Sequence, residues 1–295
     1  MKKQKILLDT DMGTDCDDAG ALAVLHNLAD SGKAEIVAVV HCASEISGPV
    51  AVKAINTWYK RDEIPIGRWD KNIFLEGEKY RRYTGVLMEQ YLKNYSLRKF
   101  ENSTRVMRRT LAENNDVTIT VIGMLNNVAE LLKSQGDDIS PLSGIELIKK
   151  SVKNMYVMGG NFKDLTYAEY NIVCDIESAR YVAEHFPMPI IYCGFELGEN
   201  VLTGRKLRTI SNENPVKIAY EVHSQKDGGI RFSWDPITVY CAVMQNTPYY
   251  QKSPKKEISF DEKGRVTLKE GGKDCYIISN ISDKDIEKVI DELIR

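Results

Sequence analysis

The 295-residue sequence predicts an α/β fold: an open, mainly parallel central sheet flanked by helices. Two observations carry that prediction. Short apolar, β-branched runs recur along the chain, with helix-period segments between them, the pattern of βαβ units around a parallel sheet covered on both faces. The residues able to do chemistry fall directly after those runs, where an open parallel sheet presents its binding crevice.

Taken in order, Ile6–Asp9 reads as the first strand and Ala19–Ser31 as the helix after it. Ile36–Val40 is the second strand. Gly48-Pro49 leads into a helix over Val50–Tyr59, with proline near the first turn, where its missing N–H is not needed. Ile64–Ile66 is a short extended piece. Residues 80–115 are polar, basic and aromatic and read as helical, with Leu111 near a helix end. Val117–Ile122 is a strand, Asn127–Lys133 a helix, and Met155–Met158 a strand ending in Gly159-Gly160. Glu177–His185 is a helix, Ile190–Cys193 a strand and Ile237–Met244 a buried helix. In the tail, Glu257–Ser259, Arg265–Leu268 and Tyr276–Ile278 read as short strands and Asp283–Leu293 as an amphipathic closing helix. With no repeat and no long linker, one domain over residues 1–295 is expected, with a small C-terminal β/α appendage.

Composition narrows the function classes. Hydrophobic residues make 43% of the chain and charged residues 28%, as in soluble globular proteins. A net charge of -2 advertises neither nucleic acid nor an anionic membrane as partner. The start, MKKQKILLD, has no long apolar segment of a signal peptide, and no stretch approaches the roughly 18 apolar residues of a membrane span. None of the six cysteines forms a CxxC pair, and most sit in apolar runs such as IIYCGF. They read as small buried hydrophobes in a reducing compartment, so a cytoplasmic protein is expected.

Five aspartates, Asp9, Asp11, Asp15, Asp17 and Asp18, fall within ten residues after the first strand. Two unit charges ~4 Å apart repel by roughly 1 kcal/mol in water and by several times that near a protein interior. Such a knot persists if it is solvated, if some groups are protonated, or if a hard cation sits among them. At the end of a buried strand water is scarce, which favours the cation. Other strand ends bring His41, Cys42 and Ser44, then Gly123–Asn127, then GGNFKDLTYAEYN, then Gly194-Phe195-Glu196. This rim is rich in carboxylates, amides and glycines and poor in Lys and Arg. It suits a cation and a polyhydroxylated ligand better than a phosphate.

The ordered motifs resemble the nucleoside hydrolase family, the inosine–uridine-preferring type. The family's Asp-x-Asp-x-Gly-x-Asp-Asp-Ala signature stands as Asp9-Thr10-Asp11-Met12-Gly13-Thr14-Asp15-Cys16-Asp17-Asp18-Ala19, with two extra residues before the final pair. Gly123–Asn127 loosely matches the GPLTN segment, Met158-Gly159-Gly160 the MGG element, Glu169-Tyr170-Asn171 the Glu-Phe-Asn element and Asp235-Pro236 the final Asp-Pro. The resemblance implies a Rossmann-like nucleoside hydrolase fold, a bound Ca²⁺ and hydrolysis of the N-glycosidic bond of a nucleoside-like substrate. It also implies a homodimer or homotetramer. Asp11, Asp18, Asp235 and the Ile122 carbonyl match the metal ligands, and Asp17 the base that activates water. Glu169 and Asn171 match ribose contacts, with Met158 beside them. Asn161 is a further candidate, although its loop is shorter than usual. The two-residue insertion leaves Asp15 as an alternative base, and Asp9 is expected to hold the turn.

Two departures bear on the leaving group. Trp234 stands where the family often has a histidine before the last aspartate, and indole can stack but is no general acid at neutral pH. Ser44 stands at the position of a sugar-contacting Asn. Substitute contacts are His41, at a strand end, and His223, before the polar run SQKDGGIRFSW; Tyr220 is a further proton source. Glu196 is a candidate hydroxyl contact, and Arg231 is either a surface residue or a leaving-group contact. His26 reads as a surface residue and His185 as a helix end. Rival readings are a haloacid-dehalogenase-like phosphatase, from Asp9-Thr10-Asp11, and a catalytically weak or inactive sugar-binding homologue.

Overall fold

In β1 (Gln4–Thr10), Ile6, Leu7 and Leu8 are all fully buried. Alternating side chains explain this: Ile6 and Leu8 join one apolar layer and Leu7 the other, so both faces of the strand are covered. The computed structural model describes residues 2–91, 100–225 and 229–295. After β1 come α1 (Asp17–Asp30), β2 (Ala34–His41), α2 (Ser47–Trp58), β3 (Ile66–Arg68), α3 (Glu78–Tyr91), β4 (Glu101–Asn102) and α4 (Ser103–Glu113). Next are β5 (Val117–Val121), α5 (Asn126–Lys133), α6 (Gly144–Ser151), β6 (Val152–Met158), α7 (Tyr170–Cys174), α8 (Ile176–His185) and β7 (Ile190–Cys193). The remainder is β8 (Leu202–Thr203), α9 (Pro215–His223), β9 (Arg231–Phe232), α10 (Trp234–Val243), β10 (Tyr250–Lys252), β11 (Lys256–Phe260), β12 (Val266–Glu270), β13 (Cys275–Ser279) and α11 (Asp283–Leu293).

Among the described residues nine strands make the central sheet, in the order β10-β13-β7-β6-β5-β1-β2-β3-β4. Neighbours run parallel except at the β10 edge, which is antiparallel to β13. The chain reverses its direction of build-up at β1, between β2 and β5, which is where a parallel sheet opens a crevice. The layer containing Ile6 and Leu8 is closed by α1, α2, α10 and α11, and the layer containing Leu7 by α4, α5, α6 and α8.

Several elements go beyond the sequence expectation. Residues 80–115 hold α3, the two-residue strand β4 and α4, while the part of that expected helix over 92–99 lies outside the described residues. α6 is set by a capping box: Ser143 and Glu146 each accept from the other's backbone N–H. α9 starts at Pro215 behind the Asn214 cap. In the tail, β11 and β12 form a separate hairpin, but β13 adds to the central sheet beside β7. His26 is corrected from surface to core. It lies fully buried, stacks on Tyr59 at 4.4 Å, and has Asn56 Oδ1 2.8 Å from Nε2. Burial pushes it down to about 4, so it is neutral. The reason is that α1 is covered nearly all round by the sheet, α2 and α10. Among the described residues no helix is long and apolar enough to cross a membrane.

Candidate active site

The carboxyl end of β1 runs into the acidic loop. Gly13 sits there at φ +131°, and a Cβ on it would lie 2.5 Å from the Tyr80 carbonyl, so only glycine lets the loop lie against α3. A Cβ on Gly123 would be 2.8 Å from the Asp11 amide. Its absence lets the end of β5 close on the end of β1. Ile122 then donates its N–H to the Asp9 carbonyl at 2.8 Å.

Two helix N-termini meet over this strand end. α1 opens with Asp17 and Asp18, where the helix dipole favours negative charge. α10 opens with Trp234 and Asp235, and their free backbone N–H groups donate to Asp17 Oδ2 at 3.1 and 3.2 Å. Asp18 accepts from the Thr10 hydroxyl and Asp11 from the Thr14 hydroxyl. Carboxylate oxygens of Asp17, Asp18 and Asp235 lie within 4.8 Å of one another. Burial pushes all three carboxyls well up, and the charges of neighbouring aspartates push the same way. Burial also brings Asp11 up to about 6.

These groups line a cavity of about 330 Å³ together with Ile122, Met158, Glu169 and Asn171. Glu169 caps α7, accepting from Asn171 N at 2.9 Å and Ile172 N at 3.2 Å, and burial pushes it up to about 7. Asn171 Nδ2 donates to the Ile122 carbonyl at 3.3 Å. The remaining lining residues are Thr14, Asp15, Tyr170, Phe195, Arg231 and Trp234. Trp234 stacks on Phe195 with centroids 5.3 Å apart, and its Nε1 donates to the Phe195 carbonyl at 2.9 Å.

Nine of the expected site residues therefore share one cavity: Asp11, Asp17, Asp18, Ile122, Met158, Glu169, Asn171, Trp234 and Asp235. Five others do not line it. Asn161 accepts from the backbone of Lys163 and Asp164 at 3.1 and 2.8 Å, closing its own turn. Glu196 accepts from Phe162 N at 3.1 Å. Ser44 Oγ lies 2.7 Å from the Glu76 carboxylate and 3.1 Å from Phe74 O. His41 is fully buried, with Ala43 O 2.8 Å from Nδ1 and Met12 O 3.1 Å from Nε2. His223 Nε2 sits 3.2 Å from Asp15, and residues 226–228 of the run that follows lie outside the described residues. Asp9 also stays behind the cavity, accepting from Asn127 Nδ2 on α5 at 2.8 Å.

The structure separates Asp15 from Asp17. Burial works to raise the Asp15 carboxyl, but the hydrogen bonds and charge of Arg231, with His223 behind, hold it below the usual range. Asp17 has backbone N–H groups rather than a side-chain cation on its carboxylate. Phe195, Tyr170 and Thr14 line the cavity although the sequence gives them no chemical signal. For Phe195 the available cue is position: it follows strand β7 directly, beside Glu196, on the rim where the other site residues gather.

A family model described as inosine-uridine preferring nucleoside hydrolase matches residues 6–284. The chain belongs to this family. It is thus a hydrolase acting on N-glycosyl compounds, and the sequence resemblance is borne out. No curated protein sequence matches it. Among solved structures, a plant nucleoside hydrolase superposes with a TM-score of 0.74 at 16% identity, covering 99% of this chain and 98% of that one. The inosine-uridine preferring nucleoside hydrolase from Bacillus anthracis gives 0.74 at 16% identity, covering 99% of each chain. The type III effector protein XopQ, solved with adenosine diphosphate ribose, gives 0.74 at 13% identity over 99% of this chain and 93% of that one. At such identities these structures speak for the nucleoside hydrolase fold, which the nine-stranded sheet shares.

Proposed function

We propose that this nucleoside hydrolase family member cleaves the N-glycosidic bond of a ribonucleoside or related N-riboside to free base and ribose, with Ca²⁺ as cofactor. The observation that carries the reading is the buried trio Asp17, Asp18 and Asp235, at the acidic end of a cavity whose other side is aromatic. An all-oxygen donor set of carboxylates at two helix N-termini, with the Ile122 carbonyl in the same cavity, fits a hard dication. Asp11, Asp18, Asp235 and Ile122 would hold it. Bound there, the ion would acidify a water and order the sugar hydroxyls.

Asp17 takes a proton from the attacking water. Two backbone N–H groups fix its Oδ2, which leaves Oδ1 for that proton. Glu169 and Asn171 hold ribose hydroxyls, each already fixed by a backbone contact of its own. As the C–N bond stretches, the ring gains oxocarbenium character, and the surrounding carboxylates stabilise it. Trp234 and Phe195 offer an aromatic base a stacking surface. A single domain over residues 1–295, a cytoplasmic location and a homodimer or homotetramer complete the proposal. The six free cysteines, five of them buried, favour a reducing compartment.

A panel of ribonucleosides, assayed for reducing sugar with and without chelator, tests the reading. Turnover that survives chelation removes the cation. No sugar release, beside phosphate release from an aryl phosphate, sinks the hydrolase reading in favour of a phosphatase. Light scattering that returns a monomer mass removes the oligomer.

A further inference from the structure

We infer that Arg231 activates the leaving group, by hydrogen-bonding the departing base as an anion in place of a general acid. The inference rests on the nucleosidase reading above. Its starting point is a gap: Trp234 has no acidic proton to give a leaving base, and its one side-chain N–H is spent on the Phe195 carbonyl. Neither His41 nor His223 lines the cavity. Among the described lining residues Arg231 is the one cation.

Its placement is fixed from two sides. Asp15, one residue of the motif's lengthened segment, takes Arg231 Nε at 2.9 Å and also takes Nη2. The guanidinium carbon lies 5.4 Å from the ring centroids of both Phe232 and Trp234, in cation–π range. Nη1 pairs with nothing among the described residues, and a guanidinium offers five donors, of which Asp15 uses only one edge. With Arg231 in the cavity lining beside Trp234, these unused donors are available to a ring nitrogen or carbonyl oxygen. Arginine stays protonated at neutral pH and so donates hydrogen bonds without giving up its proton.

The step balances without a co-reactant. The bond from the anomeric carbon to the base nitrogen breaks and its electron pair stays on the base. Water's oxygen bonds the anomeric carbon, and its proton passes to Asp17 and then to solvent. The base anion, held by Arg231, takes a proton from solvent as it leaves. Two acceptors on one base edge match the guanidinium fork, as O6 and N7 do on a 6-oxopurine. A donor beside an acceptor, as on adenine, matches less well. Arg231 is thus a specificity residue as well.

The test compares wild type with Arg231→Ala and Arg231→Lys, using inosine, adenosine and 4-nitrophenyl riboside. The last has a leaving group that needs little stabilisation. Loss of one preorganised donor to a developing anion costs about 10²–10³-fold in rate. The Ala variant should lose that much kcat/KM on inosine and at least about thirtyfold less on the nitrophenyl riboside, with a narrowed inosine-to-adenosine ratio. Arg231→Lys should recover only part. Equal losses on all three substrates, with an unchanged ratio, would overturn the assignment by making Arg231 a support for Asp15. The assignment also falls if Tyr170→Phe rather than Arg231→Ala collapses the difference, because a tyrosine proton then does the work. A wild-type protein that hydrolyses none of the three fails the nucleosidase reading itself, and this assignment with it.

Discussion

The two ends of the cavity are built differently. Its acidic end stands on β1 and β5, neighbours in the middle of the sheet, and on the N-termini of α1 and α10, where Asp17, Asp18 and Asp235 are buried. Its aromatic end comes from connections. Phe195 lies in a short turn after β7, Arg231 in the two-residue strand β9, and Tyr170 at the first turn of the five-residue helix α7. The acidic end holds charges that repel until something joins them, so it needs rigid walls. The aromatic end needs only shape and donors, which loops supply. On the proposed reading, activation of water and recognition of the base belong to separable parts of the chain.

Asp17→Asn gives the sharpest way to break that separation. Removing a positioned base typically costs about 10²–10⁴-fold in rate. If the division is real, kcat falls by a similar factor on inosine, on uridine and on a nitrophenyl riboside, because the water is common to all. A loss confined to one base in steady-state assays would show that the acidic end also reads the leaving group.

Glu169 lines the same cavity, and its titration is readable as stability. Burial raises it from 4.5 to about 7, so the folded chain holds that proton more tightly than the unfolded chain. The stabilisation is therefore complete below the unfolded value of 4.5 and is lost as pH rises through about 7. A shift of that size corresponds to something on the order of 3 kcal/mol. Urea unfolding of the metal-free protein at pH 5 and pH 8 should show wild type losing more stability than Glu169→Gln. Equal losses in the two proteins would place the proton elsewhere.

The same contrast explains what is legible in the sequence. The acidic end announces itself because five aspartates after a buried run need a reason, and four of them, all but Asp9, do line the cavity. The sheet is legible where runs are long and apolar, as in VTITV of β5, buried at every position. β10 and β13 are harder. β13 has the burial pattern of a half-exposed edge strand, and nothing local says that it pairs with β7 rather than with the hairpin. Ser44, Glu196 and His41 stand on the right rim but bond to neighbouring backbone or side chains, and the direction of a side chain is set by loop geometry that residue types do not encode. Arg231 is ambiguous in the sequence for the same reason: only the fold brings Asp15, far away along the chain, against it.

The smallest expected effect tests the aromatic end alone. Trp234→Phe keeps a ring to stack on Phe195 but deletes the N–H that ties it to the Phe195 carbonyl. Aromatic pairs contribute about 0.5–1.5 kcal/mol beyond their buried area, so a less well held ring should raise KM for inosine by up to about tenfold. Ribose alone presents no base, and its inhibition constant should stay within about twofold of wild type, well inside the ~1.4 kcal/mol of a tenfold change. Measuring both constants in one preparation compares the two ends within a single molecule. If ribose binding weakens as much as inosine binding, the tryptophan shapes the acidic end through Asp235, its neighbour on α10, and the two regions are one.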